Sequence, residues 1–212
     1  MKWFRYDSPI YEYFDTLAHF IVLNLIFLVL CIPVITAGPA AAALYQITLR
    51  EARRENGYLV KPYFGYFKEQ FGNGALLFLY YALMIGLGVF GIIFWHRLDS
   101  FPTDIAAAFM AVIVLMAVCG MQYSFAMIAR FEIRAGRAIR NSLGVAMENI
   151  PYTAALILVD AVWIWLSWNY SGVRIFMLIV GFSFVAYVKS MLLTKVFKKY
   201  ENDSHEGGSH AN

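Results

Sequence analysis

Charge is what this sequence has least of. Of its 212 residues, 15% are Asp, Glu, Lys or Arg, where soluble domains carry about 25%. Cysteine is nearly absent: Cys31 and Cys119 stand in separate apolar runs, with no CxxC spacing and no neighbouring histidine. That excludes a disulfide scaffold and a cysteine zinc site, and leaves two small apolar packing residues. Histidine is sparse and scattered, and no HExxH, GxSxG, P-loop or GxGxxG pattern occurs, so the chain offers no metal, cofactor or catalytic constellation. No enzyme activity and no cofactor are expected. The net charge is only +3, and the basic residues fall between apolar runs. A nucleic-acid binder would gather them on one face of a soluble domain; here phospholipid headgroups are the expected partner.

What is present is apolar: 61% of the residues are hydrophobic and 17% aromatic. They collect in long uncharged runs, at about 18–35, 74–95, 105–129, 152–168 and 175–193. Runs of about 20 residues match the thickness of a bilayer core. The fold expected is therefore all-α, a polytopic membrane bundle of about five transmembrane helices with amphipathic cytoplasmic interfacial helices. Residues 1–195 form one integral membrane domain, and the polar stretch 196–212 is expected to be disordered. The first run is read as a retained span rather than a cleaved signal, because Glu12 and Asp15 separate Lys2 and Arg5 from it. Ser8-Pro9 is a helix start, and Trp3, Phe4, Tyr6, Tyr11 and Tyr13 read as an interfacial aromatic cluster.

The stretch Pro33 to Tyr45, PVITAGPAAAALY, organises the chain. Pro33 should kink or end the first span. Thr36 or Gly38 stands near the cap of a helix begun by Pro39, and the alanines that follow let another backbone approach closely. Leu44, Ile47 and Thr48 recur at helical spacing with Arg50, Arg53 and Arg54 beyond, as in a helix lying along headgroups. Phe64, Phe67 and Phe71 share a face of a second interfacial helix, a candidate partner surface. A further basic segment holds Arg130, Arg134, Arg137 and Arg140. With Arg50, Arg53 and Arg54, these are the expected headgroup-contacting residues.

The excess of Lys and Arg in the segments after the first and third runs, and after the fifth, places those segments and the C-terminus in the cytoplasm. The N-terminus is then outside, or the first run is a re-entrant element with the N-terminus inside.

Polar groups within spans are expensive and are candidate sites by default. Asp160 lies mid-way along LILVDAVWIW, Asn24 near the middle of the first run, and Gln122 in the inner half of the third. A polar layer of Asp160, Asn24 and Gln122 for a proton or small solute is one reading; inter-helix hydrogen bonds that fix helix order are the other. Lys189 is expected to snorkel to the inner headgroups.

Pro33-Val34-Ile35-Thr36-Ala37-Gly38-Pro39, with Leu44-Tyr45 after the alanines, resembles the opening motif of the YesL-like membrane proteins, the DUF624 family. The segment around Phe64, Phe67 and Phe71, Ala129-Arg130-Phe131, and Asn149-Ile150-Pro151 resemble later blocks of that family. The resemblance implies a multi-pass protein of the bacterial cytoplasmic membrane, often associated with carbohydrate uptake, and supplies no catalytic residues. It points to an accessory or interaction partner of an ABC-type permease. The alternative is a small solute or proton-coupled transporter or channel around Asp160. A homo-oligomer is compatible with either.

Overall fold

The computed structural model describes residues 9–55, 60–98 and 101–209. Every regular element among them is helical, in the order α1 (Pro9–Leu30), a 3-10 turn (Val34–Thr36), α2 (Ala37–Ala52), α3 (Tyr63–Glu69), α4 (Phe71–His96), α5 (Phe101–Phe131), α6 (Ala135–Glu148), α7 (Ile150–Asn169), α8 (Ser171–Phe176), a π-helical turn (Met177–Gly181) and α9 (Phe182–Ser209). Four stretches are long and apolar enough to cross a bilayer: Phe71–His96, Pro102–Phe131, Ile150–Asn169 and Ser171–Glu201. The last joins α8, the π turn and α9 into one rod. A shorter apolar stretch, Thr16–Leu30, lies in α1. The all-helical polytopic bundle read from the sequence is the observed fold.

The N-terminal aromatic residues Trp3, Phe4 and Tyr6 lie outside the described residues, as does Gly57. The first helix stops at Leu30, short of the expected end at 35. Pro33 sits in the connection, and the Thr36 hydroxyl donates to the carbonyls of Leu30 and Pro33, the latter at 2.6 Å. The stretch from 196, expected to be disordered, is helical as far as Ser209, with Val196 and Phe197 buried against the core.

The largest departure from expectation is α2. It does not lie along headgroups. Its residues from Gly38 to Leu49 are buried apart from Ala41 and Tyr45, which are half-buried, and it packs against α1, α3, α4, α5 and α9. The leucine and isoleucine spacing suggested one apolar face. The other faces are built of Gly38, Ala40, Ala42 and Ala43, whose small side chains carry little hydropathic signal yet allow close packing all round. Gly38 meets Gly74 at the start of α4. A methyl group on Gly74 would lie 2.7 Å from the Pro39 backbone, and one on Gly38 would run into the Gly74 carbonyl. The alanine run is thus an internal packing surface rather than an exposed docking one.

The packing of α1 against the last span fixes their relative direction. Phe20 packs against Tyr187 and Phe27 against Phe182, with tilted rings at centroid distances of 5.3 and 5.6 Å. The order reverses, so α1 and α9 are antiparallel where they meet. In a simple chain of five alternating spans the first and fifth would be parallel. Here α1 and α2 instead form a hairpin beside a bundle of α4, α5, α7 and the α8–α9 rod.

Candidate functional site

The polar residues within the spans form two separate groups. The first joins three spans. Lys189 on α9 is buried, its side chain 9% exposed, and its ammonium lies 2.6 Å from Oδ1 of Asp160 on α7. The same Nζ donates to Gln122 Oε1 on α5 at 2.8 Å, and Gln122 Nε2 donates to the other Asp160 oxygen. Tyr45 on α2 lines the same cleft as Asp160 and Lys189. Each charged atom therefore has a complementary partner, as a charge held away from water requires. Lys189 does not snorkel to the headgroups, because a carboxylate in the adjacent span neutralises it nearer by.

Asp160 borders open space. A cleft of about 840 Å³ is walled by α1, α2, α7 and the α8–α9 rod. Asp160, Lys189 and Tyr45 stand at one end of its lining; Trp168 and Arg174 lie towards the α7–α8 connection. The walls between are largely apolar, among them Phe27, Trp163, Leu178 and Phe182. Trp163 stacks on Phe176 at 5.9 Å with the rings nearly parallel, which ties α7 to the rod beside the cleft. Ser167 Oγ, also in the lining residues, is buried without a hydrogen-bond partner.

Asn24 belongs to the second group and not to the Asp160 layer. Its Nδ2 donates to the carbonyls of Met177 and Leu178 at 3.2 and 2.8 Å, and its Oδ1 accepts from the Ser183 backbone N–H at 3.1 Å. Met177 and Leu178 open the π turn and Ser183 lies just beyond it, where the wider helical winding disturbs the regular hydrogen-bond ladder. In lipid an unsatisfied backbone group is costly, and Asn24 satisfies three atoms at once.

The remaining candidate residues are distributed as follows. Pro39 and Leu44 are buried in α2, Thr36 closes the turn before it, and Tyr45 faces the cleft. Phe64 and Phe71 are 50% and 43% exposed, while Phe67 is half-buried with its ring edge-on to Phe71 at 5.7 Å. Arg50 and Arg53 engage Glu55 at 3.4 and 2.5 Å, and the Arg53 guanidinium holds the Glu55 carboxyl below the usual carboxylate range. Arg50 also donates to the Tyr66 hydroxyl. Arg54 is exposed in a left-handed conformation, φ 58°. Arg130 engages Glu201 at 3.0 Å through Nε. Arg134, Arg137 and Arg140 are exposed along α6. Asn73 in the first turn of α4 and Asn149 between α6 and α7 tie the two ends of α6 to neighbouring helices. Asn73 Oδ1 accepts from Ala135 N–H at 3.1 Å, and Asn149 Nδ2 donates to the Tyr200 hydroxyl at 2.8 Å.

Sequence reasoning missed Lys189 and Tyr45 as members of the polar cluster. The signal for Lys189 was available: Asp160 and Lys189 are opposite charges set within consecutive apolar runs, where pairing is the cheapest solution. The π turn left no mark in the residue pattern. Among the described residues no group of three or more His, Cys, Asp or Glu converges to hold a metal ion.

The fold and this site define a polytopic helical membrane protein with a hydrogen-bonded ion pair set among its spans, beside a cleft. Residues 20–92 match the family model DUF624, described as a protein of unknown function. The matched stretch runs from the apolar part of α1 through most of α4 and includes the Pro33–Tyr45 motif; the clustered Gln122, Asp160 and Lys189 lie beyond it. No curated protein and no solved structure matches the chain.

Proposed function

We propose that the protein moves a proton or small solute through the cleft, with Asp160, Lys189 and Gln122 as its polar end. One observation carries this reading: the pair of buried Lys189 and partly exposed Asp160, which could have been sealed by packing, instead borders a cleft of about 840 Å³ through its carboxylate. Intramembrane ion pairs that face cavities mark ion and substrate pathways. Asp160 would exchange the proton or accept a hydrogen bond from the solute, and Lys189 would hold the carboxylate in place at the end of the cleft. The reading gives the chain no catalytic role.

The test is proton flux into liposomes that contain the full-length protein and a pH-sensitive dye. Wild type should dissipate an imposed pH gradient. Asp160→Asn should not, nor should Asp160→Asn combined with Lys189→Gln, which keeps the cluster neutral and so keeps the fold. Flux equal to wild type in the folded double variant would sink the proposal.

A second reading is favoured by a separate observation, the exposure of Phe64 and Phe71 on α3 and the start of α4. In it the protein is an accessory of a carbohydrate ABC-type permease in the bacterial cytoplasmic membrane, with α3, α6 and the C-terminus on the cytoplasmic side. Purification in mild detergent should then recover a permease with wild type and lose it with Phe64→Ala/Phe71→Ala. Recovery of a homo-oligomer alone, together with proton flux, would decide against this reading.

A further inference from the structure

The arginines near the membrane boundary divide into two sets. Arg50, Arg53 and Arg130 are engaged by Glu55 and Glu201. Arg134, Arg137 and Arg140 engage no carboxylate among the described residues. These three line one pocket of about 650 Å³, together with Asn73, Leu76 and Gly136. No acidic side chain among the described residues borders it. The sequence explains the convergence. Arg134 precedes α6, and Arg137 and Arg140 follow at three-residue steps, on the face away from the buried Ala135, Ala138, Ser142 and Ala146. Asn73 then clips the start of α6 to the start of α4.

The pocket has an apolar continuation. Leu76, Leu79, Leu83 and Leu87 follow one another along α4 at helical spacing and are between 54% and 60% exposed. The stripe is about 16 Å long at 1.5 Å per residue. It lies within a span, so its natural cover is hydrocarbon. A cationic pocket at the mouth of a span, with a leucine stripe leading from it into the membrane, has the charge and polarity profile of a phospholipid.

We propose that Arg134, Arg137 and Arg140 form a binding site for an anionic phospholipid, whose headgroup phosphate sits among the guanidinium groups and whose acyl chain lies along Leu76, Leu79, Leu83 and Leu87. Guanidinium groups match phosphate through paired N–H donors, and basic pockets between membrane helices suit such headgroups. Three cations exceed the charge of one phosphate, so a two-phosphate headgroup binds more tightly than a single one. The site is independent of the cleft.

The test is native mass spectrometry of the full-length protein in a neutral detergent. The probes are tetraoleoyl cardiolipin, dioleoylphosphatidylglycerol, dioleoylphosphatidylcholine and inorganic phosphate. Affinity should fall in that order across the lipids. Arg134→Gln/Arg137→Gln/Arg140→Gln should weaken the anionic lipids on the order of a hundredfold and leave phosphatidylcholine unchanged. A variant that removes equal charge elsewhere, Arg54→Gln/Lys198→Gln/Lys199→Gln, should bind as wild type. Leu79→Ala/Leu83→Ala should weaken the lipids without affecting inorganic phosphate. The proposal is overturned if both triple variants lose affinity alike, if phosphatidylcholine matches the anionic lipids, if inorganic phosphate alone binds as tightly as they do, or if the leucine variant binds lipid as wild type. Helical content and a monodisperse elution profile, unchanged in every variant, show that the fold is intact.

Discussion

Gly38 and Gly74 let two helix starts touch backbone to backbone, and neither position has room for a methyl group. Gly38→Ala and Gly74→Ala should each destabilise by about 1–3 kcal/mol, the usual cost of overpacking. Gly65→Ala, which meets open space, should leave the unfolding temperature in detergent unchanged or raised. Asn24 is a second position where one side chain decides local order. Asn24→Leu keeps the branching and the number of heavy atoms but strips the hydrogen bonds from Met177, Leu178 and Ser183. Interhelical hydrogen bonds in membranes are worth about 0.6 kcal/mol on average, so the loss should amount to roughly 1–2 kcal/mol in reversible unfolding. Faster hydrogen exchange should be confined to residues around the π turn. An unchanged exchange pattern there would mean that Asn24 does not hold the turn.

Among elements, α5, α7 and α9 are cross-tied by Gln122, Asp160 and Lys189. The two charges are not equivalent. Asp160 borders the cleft with its side chain 31% exposed, whereas Lys189 is enclosed. Asp160→Leu should therefore cost roughly 3–5 kcal/mol, as removal of one member of a buried pair does, and Lys189→Met clearly less. The double variant should recover most of the loss, since well-packed apolar residues often replace a buried pair without penalty. Equal single-variant costs in a thermodynamic cycle would refute the asymmetry. This cluster was half legible in the sequence: an aspartate and a glutamine in apolar runs are conspicuous, but which helices adjoin is not written in their spacing. The helix α2 was misread for a related reason. Hydropathy sees leucine and arginine and passes over alanine and glycine, so a helix enclosed on all sides by small-residue packing looked like one lying at a surface.

At the scale of the molecule, the all-helical class and the presence of long apolar helices followed from composition, because a bilayer sets their length. Of the five runs expected to span, however, four stretches among the described residues are long and apolar enough to cross, and the first is shorter. Direction did not follow from composition. Counting lysines and arginines orients loops, but only the inverted order of Phe20–Tyr187 and Phe27–Phe182 shows that α1 runs against the last span. Single cysteines placed at Ser8 and Lys199, in a chain whose Cys31 and Cys119 are replaced by alanine, should be labelled by a membrane-impermeant maleimide from the same side of oriented vesicles. Labelling from opposite sides would restore five alternating spans.

The central position of α2 also has a consequence for biosynthesis. The helix leaves the ribosome early, yet its partners on α4, α5 and α9 come later, the last of them far along the chain: the Thr48 hydroxyl meets Ser190 at 2.7 Å across a separation of 142 residues. Until the final helix is inserted, the hairpin of α1 and α2 stands in the membrane with Tyr45, Gln46 and Thr48 awaiting their cover. Nascent chains arrested before residue 182 should consequently be degraded faster by membrane quality-control proteases than the full-length chain, as a pulse-chase comparison of the two would show.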